Sequence, residues 1–396
     1  MARDGRQLAA VGAFGGLVLF AASANIVFAA LPRMSQTFGV AAGNLANATA
    51  VQFSGFVLAS VIGGMVADRV GKRRVLLAGA TLVAVGAAVW ASAARLPGVF
   101  AGAFVMGLGG GVLESMCTAL LIDVFPTRRR LLLNLSQVAY CVGAVGGPVL
   151  MSWLLPQGVS WRLFFSATAA GSVVLGFVFL GLRHGGAPSV AATLAAGARR
   201  GPRLGLSVWL PCIAIFCYVT AETGTATYLT LYLAQAKAAP ERWAIAGLAL
   251  FWGTMLVGRL LCALLPEEHP HERVIALLLA AAAGCSLAHL GNLGWRGDLW
   301  LFALTGLACA GSWPLIVGLA AARHPRQTGT VVGLVAGIGS VGCILAPPLL
   351  RPLIAGARPA AAFALVGMLL LLAAGLILIP CPGSETAEEA PHGDPT

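Results

Sequence analysis

The chain has 396 residues, of which 59% are hydrophobic and only 10% charged, with a mean hydropathy of +0.89. A soluble domain carries about 25% charged residues, so this composition excludes a water-soluble globule and places the chain in lipid. The net charge of +11 raises nucleic acid as a partner, but the bases sit in short intervals between apolar runs, which is a topology signal.

A membrane span needs roughly 20 apolar residues, and twelve such runs follow one another. The first covers about Leu8–Leu31 and holds Ser23 and Asn25. The second, about Asn44–Ala67, opens with Asn44, Asn47, Thr49 and Gln52 on one polar face. Next comes the loop GGMVADRVGKRRV, Gly63–Val75, in which Gly71 turns the chain between Asp68, Arg69, Lys72, Arg73 and Arg74. The third run covers about Val75–Ala94. The fourth, about Pro97–Phe125, passes through GLGGGVLESMCT. After the basic turn Pro126–Arg130 come the fifth, about Leu131–Leu155, and the sixth, about Trp161–Leu182.

Residues 183–205, rich in Gly, Ala and Arg, read as a linker between an N-terminal half, 1–182, and a C-terminal half, 206–380. The seventh run covers about Leu206–Ala234, the eighth Trp243–Leu265 and the ninth Val274–Leu293. The tenth covers about Leu299–Ala322, the eleventh Thr328–Leu350 and the twelfth Pro359–Ile379. The tail, 381–396, is acidic and Pro-containing and is expected to be disordered. With the N-terminus inside, sixteen of the twenty-five bases fall on cytoplasmic segments, so both termini are expected in the cytoplasm. A shift of 199 residues lays Asp68 on Glu267 and Arg74 on Arg273, a weak trace of two parallel six-helix repeats.

The spacing Gly64-x3-Asp68-Arg69-x-Gly71-Lys72-Arg73-Arg74 resembles the loop signature of the major facilitator superfamily. The resemblance implies an all-α integral membrane fold of twelve spans in two pseudo-symmetric halves, and a conformational latch at this loop. Within the superfamily, GLGGGVLE, the run Leu133-Asn134-Leu135-Ser136-Gln137 and the stretch Phe251-Trp252-Gly253 to Gly258-Arg259 are similar to the fucose–proton symporters. That similarity implies a protonation site at Glu114 and a sugar path near Asn134 and Gln137. Thr118 and Leu132 stand where that family has Asn and Arg, and no acid lies in the first span. Gly143-x3-Gly147-Pro148 matches the first part of a drug–proton antiporter signature, whose trailing glycines are replaced by Met151 and Ser152.

Charges inside spans are costly and mark cavities or partners. Glu114 lies eleven residues before the end of the fourth run, about 16 Å at 1.5 Å per residue, near the midplane. A desolvated carboxyl there is suited to binding and releasing a proton near neutral pH, and the Gly107–Gly111 run is expected to leave space beside it. Glu222 lies among Tyr218, Thr220, Thr223, Thr225, Thr227 and Tyr228, expected to form a hydrated wall opposite Glu114. Arg259 is a counter-charge or a ligand anchor, while Trp252, Trp313 and Tyr228 can stack against a solute. Candidate substrate contacts are therefore Asn25, Gln52, Asn134, Gln137, Tyr218, Tyr228, Trp252, Arg259 and Trp313. Interhelical hydrogen bonding is the alternative role for each polar group.

Nine scattered cysteines read as reduced packing residues. No metal site, cofactor, nucleotide loop or enzyme motif is expected, and no catalytic residue. The reading is a secondary transporter of the cytoplasmic membrane, acting as a monomer on a small polar, sugar-like solute with proton coupling through Glu114 and Glu222. The alternative is a proton-driven exporter of drugs or amphiphilic metabolites.

Overall fold

A computed structural model of the chain describes residues 3–125, 129–182, 205–262, 271–324, 328–356 and 358–380. The expected linker, 183–204, the tail from 381, Glu267, and the side chains of Asp68 and Asn134 lie outside the described residues. Thirteen α-helices make twelve candidate spans among these residues. In chain order they are α1 (Arg3–Phe38), α2 (Ala42–Val70), α3 (Lys72–Ser92), α4 (Leu96–Val124), α5 (Arg129–Leu154), α6 (Trp161–Leu180) and α7 (Leu206–Leu231). Then come α8 (Glu241–Cys262), α9 (His271–Ala288), α10 (Gly294–Cys309), α11 (Ser312–Arg323), α12 (Thr328–Ile354) and α13 (Ala360–Leu378).

Two elements depart from the sequence expectation. Helix α1 continues through Pro32 to Phe38 instead of stopping at Leu31, because a spanning helix tolerates proline where neighbours meet the freed backbone groups. The tenth span is broken: α10 and α11 are its two pieces, parted at Ala310–Gly311.

The packing repeats. In the first half α1 packs on α5 and α6, α2 on α4, and α3 on α4 and α6. In the second half α7 packs on α12 and α13, α8 on α10, and α9 on α10 and α13. The seam between halves is built from α5 on α8, α2 on α12, and α1 on α7. Small residues drive these crossings by letting backbones approach. Gly107 lies against the Gln52 carbonyl, and Gly306 against the Phe251 carbonyl, so both members of the second pair lie 199 positions after those of the first. Gly143 against the Val18 carbonyl and Gly342 against the Phe216 carbonyl repeat within one residue of that offset.

This use of glycine corrects one expectation. The Gly107–Gly111 run does not leave space beside Glu114. Gly107 and Gly111 face the α2 backbone, Gly109 faces α3, and Gly110 is covered by the Phe20 ring. The run is a packing surface for three helices.

The two ends of the bundle differ. At the end carrying Arg33, the halves are joined: Arg33 makes a bidentate pair with Glu241 and donates to the Leu155 carbonyl at 3.3 Å. Beside it the Arg242 guanidinium stacks over Trp153 at 3.5 Å. At the end carrying Gly71, the ion pairs Lys72–Asp123 and Arg323–Glu272 each stay within one half. By the arginine count the Gly71 end is the expected cytoplasmic one.

Candidate functional site

The Gly63–Val75 loop is a one-residue turn. Gly71, at φ +88°, ends α2 and starts α3, a conformation that costs glycine nothing and other residues more. Lys72 is then placed to pair with Asp123 at the end of α4. Arg73 donates to the Phe179 and Leu180 carbonyls, at 3.3 and 2.5 Å, and so covers the C-terminal end of α6. Arg69 and Arg74 are exposed, and a side chain at Gly64 would meet open space. Lys72 and Arg73 therefore fasten α3 to α4 and α6 inside the first half, while the Asp68 side chain, on which the expected conformational latch centres, lies outside the described residues. Asp123 was missed; its helix-terminal acid opposite a basic turn is the signal that could have found it.

The second cluster lies on the seam. Gly258 lets α8 rest on α10, touching Ala310 and the Leu307 carbonyl, and the next residue, Arg259, turns toward α5 and α7. Its Nη1 approaches Gln137 Oε1 at 3.4 Å and Cys141 Sγ at 3.3 Å, while Nη2 lies 3.9 Å from Glu222 Oε1. Gln137 and Cys141 are four residues apart on α5, so they share one face. The Arg259 and Glu222 side chains retain 12% and 13% exposure. Glu114, half-buried on α4, lies within electrostatic reach of Arg259, and Tyr140 lies within reach of both glutamates. One guanidinium, the Glu222 carboxylate and the Gln137 amide thus come together between α5, α7 and α8, drawing on both halves, with the Glu114 carboxylate of α4 in electrostatic range.

An aromatic row borders this centre. Phe56 stacks on Phe20 at 5.4 Å, Phe20 tilts against Tyr140 at 6.0 Å, and Tyr140 meets Trp252 edge-on at 5.9 Å across the seam. Trp252 Nε1 and Arg259 Nε are buried donors without an acceptor among the described residues. A groove of 360 Å³ lined by Arg33, Thr37, Trp161 and Arg162 lies elsewhere, at the Arg33 end.

Several expected contacts sit away from the centre's open surface. Tyr218 is fully buried, its hydroxyl 2.8 Å from Glu222 Oε1 and 3.1 Å from the Cys309 carbonyl, so it supports Glu222 from behind. Tyr228 donates to the Pro347 carbonyl at 2.7 Å and ties α7 to α12. The hydrated threonine wall is corrected too: Thr220, Thr225 and Thr227 are buried and bond carbonyls four residues back in their own helix. Thr223 instead reaches Cys343 Sγ at 3.3 Å. Asn25 is buried, with Nδ2 on the Ala21 carbonyl, and Gln52 is buried at the α2–α4 crossing. Trp313 is half-buried beside the break in the tenth span. Sequence reasoning missed Tyr140 and Cys343, within reach of both carboxylates, and Cys141 and Cys309, within reach of Glu222. Their small or mixed character gave no signal; only the four-residue step from Gln137 to Cys141 was visible.

A family model described as Major Facilitator Superfamily matches residues 13–301. The chain belongs to the Major Facilitator Superfamily. Its fold is that of solved members. A D-xylose–proton symporter superposes with a TM-score of 0.77 at 14% identity, covering 95% of this chain and 98% of that one. The Escherichia coli fucose–proton symporter FucP gives 0.63 at 18% identity, covering 93% and 97%. Among curated proteins, the multidrug resistance protein MdtL of Escherichia coli O81 (strain ED1a) is 32% identical over 165 residues. MdtL of Klebsiella pneumoniae (strain 342) is 28% identical over 162 residues. These matches cover 41% of this chain and 41–42% of the relatives' own length. The chain is thus a multi-pass membrane protein of a transporter superfamily, with the acid–arginine centre at the seam that the superfamily fold creates.

Proposed function

We propose that this protein is a secondary transporter of the cytoplasmic membrane that moves a small organic solute by alternating access, coupled to protons through Glu114 and Glu222. The observation that carries the reading is the placement of Arg259. It reaches Gln137 and Cys141 of one half and Glu222 of the other, with Glu114 in electrostatic range. Ionisable groups at that depth are costly unless they serve a pathway. A charge centre that spans the seam must also be rearranged whenever the halves rock, so its proton state and the conformational cycle are linked.

For the solute, we infer a small polar compound, sugar-like in its hydroxyl pattern. Gln137 and Glu222 can accept from hydroxyls, and the unpartnered Arg259 Nε and Trp252 Nε1 can donate to them. A second reading, export of amphiphilic cations, is favoured by the aromatic row Phe56–Phe20–Tyr140–Trp252, since aromatic faces attract cations. The partial matches to multidrug resistance proteins support it as well.

One assay separates the two. The purified protein is placed in proteoliposomes containing a pH dye, and L-fucose, D-xylose or tetraphenylphosphonium is added outside. Sugar-induced acidification of the lumen supports proton symport. Alkalinisation on adding tetraphenylphosphonium supports exchange of cation for proton. No pH change with any solute that the protein is shown to bind would sink proton coupling altogether.

A further inference from the structure

The break at Ala310–Gly311 interrupts the hydrogen bonding of the tenth span, and a carbonyl freed inside a membrane needs another donor. At Cys309 that donor is the Tyr218 hydroxyl, 3.1 Å away. The same hydroxyl lies 2.8 Å from Glu222 Oε1. A phenol carries a single hydrogen. It cannot serve both oxygens fully, so the proton count at Glu222 decides which contact is made.

With Glu222 protonated, its O–H donates to the Tyr218 oxygen, and the Tyr218 hydrogen goes to the Cys309 carbonyl. All three groups are then satisfied. When Glu222 gives its proton to cavity water, the carboxylate becomes an acceptor and takes the Tyr218 hydrogen in a stronger, charge-assisted bond. The Cys309 carbonyl is left without its donor.

We propose that Tyr218 is a positioning residue that carries the proton state of Glu222 to the break in the tenth span. The inference rests on the proposed coupling role of Glu222. The other groups facing Glu222 are Arg259 of α8, Tyr140 and Cys141 of α5, Cys309 of α10 and Cys343 of α12, with Glu114 of α4 beyond Arg259. Arg259 stands 3.9 Å from Glu222, too far to supply the hydrogen bond that Tyr218 supplies. The break in turn touches α8: Gly258 lies on Ala310 and Leu307, and Cys262 lies on Gly311. A loosened break therefore frees the end of α8 that holds Arg259.

The test uses the full-length protein in nanodiscs. Infrared difference spectra follow the carboxylic-acid band that Glu222→Gln removes. Hydrogen–deuterium exchange follows residues 307–315, normalised at each pH to the same peptide unfolded. In the wild type, exchange of 307–315 should rise about fivefold across the pH step that removes the Glu222 band, the change expected for one neutral hydrogen bond. In Glu222→Gln, whose amide donates permanently, exchange should stay slow at both pH values. In Tyr218→Phe it should be fast at both. Equal normalised exchange in the wild type before and after the Glu222 band disappears overturns the relay and leaves the proton site standing. A Glu222 band that never titrates overturns the coupling role itself. Should Tyr218→Phe fail to fold, the wild type and Glu222→Gln decide the matter alone.

Discussion

Replacing Glu241 by Gln should open the bundle at the Arg33 end. The wild-type pair is bidentate, which places it among the stronger surface contacts. Its side chains are nevertheless 38% and 30% exposed, so solvent screens it and a value of about 1 kcal/mol is appropriate. Because Arg33 is on α1 and Glu241 on α8, that energy counts only in the state where the halves meet at this end. Losing it shifts the ratio of closed to open by about fivefold. The Arg242–Trp153 stack is untouched by the change and should keep the closed form from vanishing. Spin labels at the exposed positions Gln36 and Arg296, one on each half, report the opening as a population of longer distances. Raising salt in the wild type should move the distribution the same way, since exposed charges are screened within about 8 Å at physiological ionic strength. Exchanging the charges, Arg33→Glu with Glu241→Arg, should restore the short distances. An unchanged distribution in Glu241→Gln at low salt would show that the pair holds nothing shut.

Three further outcomes follow from the packing and the centre. Lys72→Ala leaves Asp123 partly buried without its cation, the two side chains being 7% and 20% exposed, and should cost about 2 kcal/mol, read as a lowered melting temperature. The double variant with Asp123→Ala should recover part of that loss. Gly107→Ala drives a methyl group into the Gln52 carbonyl and Gly306→Ala into the Phe251 carbonyl, so each should destabilise by about 1–3 kcal/mol, while Gly64→Ala, which meets open space, should melt normally. Glu114→Gln should abolish accumulation driven by a pH gradient while exchange between equilibrated compartments survives, because Gln mimics the protonated acid but releases no proton; gradient-driven uptake at the wild-type rate would remove Glu114 from coupling.

The spans, their pairing into halves and the Gly71 turn were legible because hydropathy and charge are written locally along the chain. The offset of 199 was legible as well, and the glycine contacts now give it a physical basis, since the same backbone approach is made at Gly107 and Gly306. The acids and Arg259 were visible because a charge in an apolar run has few alternative explanations. Hydroxyl direction was hidden. A threonine in a spanning helix can face a cavity or bond its own carbonyl four residues back, and the sequence is the same in both cases. Long-range closure was hidden too: Arg33 and Glu241 are 208 residues apart, and each alone reads as an ordinary base or acid at a span's end. The break at Ala310–Gly311 did have a signal, passed over in the sequence: Pro314 offers no N–H to the Ala310 carbonyl four residues back, and its ring crowds that carbonyl.

The centre also constrains how coupling must run, whichever solute is carried. With both glutamates ionised, Glu114, Glu222 and Arg259 hold one excess negative charge; with both protonated, they hold one excess positive charge. A buried excess charge of either sign is unfavourable unless something compensates it. A cationic solute compensates the ionised centre and is expelled by the protonated one, so protons and cation occupy the cavity in turn and move in opposite directions. A neutral polyol compensates neither extreme. It is best held when one glutamate is protonated and Arg259 is balanced by the other, so solute and proton enter together. The two proposed functions therefore differ in the sign of proton movement that accompanies the solute. The aromatic row favours the first, the unpartnered donors Arg259 Nε and Trp252 Nε1 the second. That sign depends on the charge count alone and would survive any later revision of which side chains touch the solute.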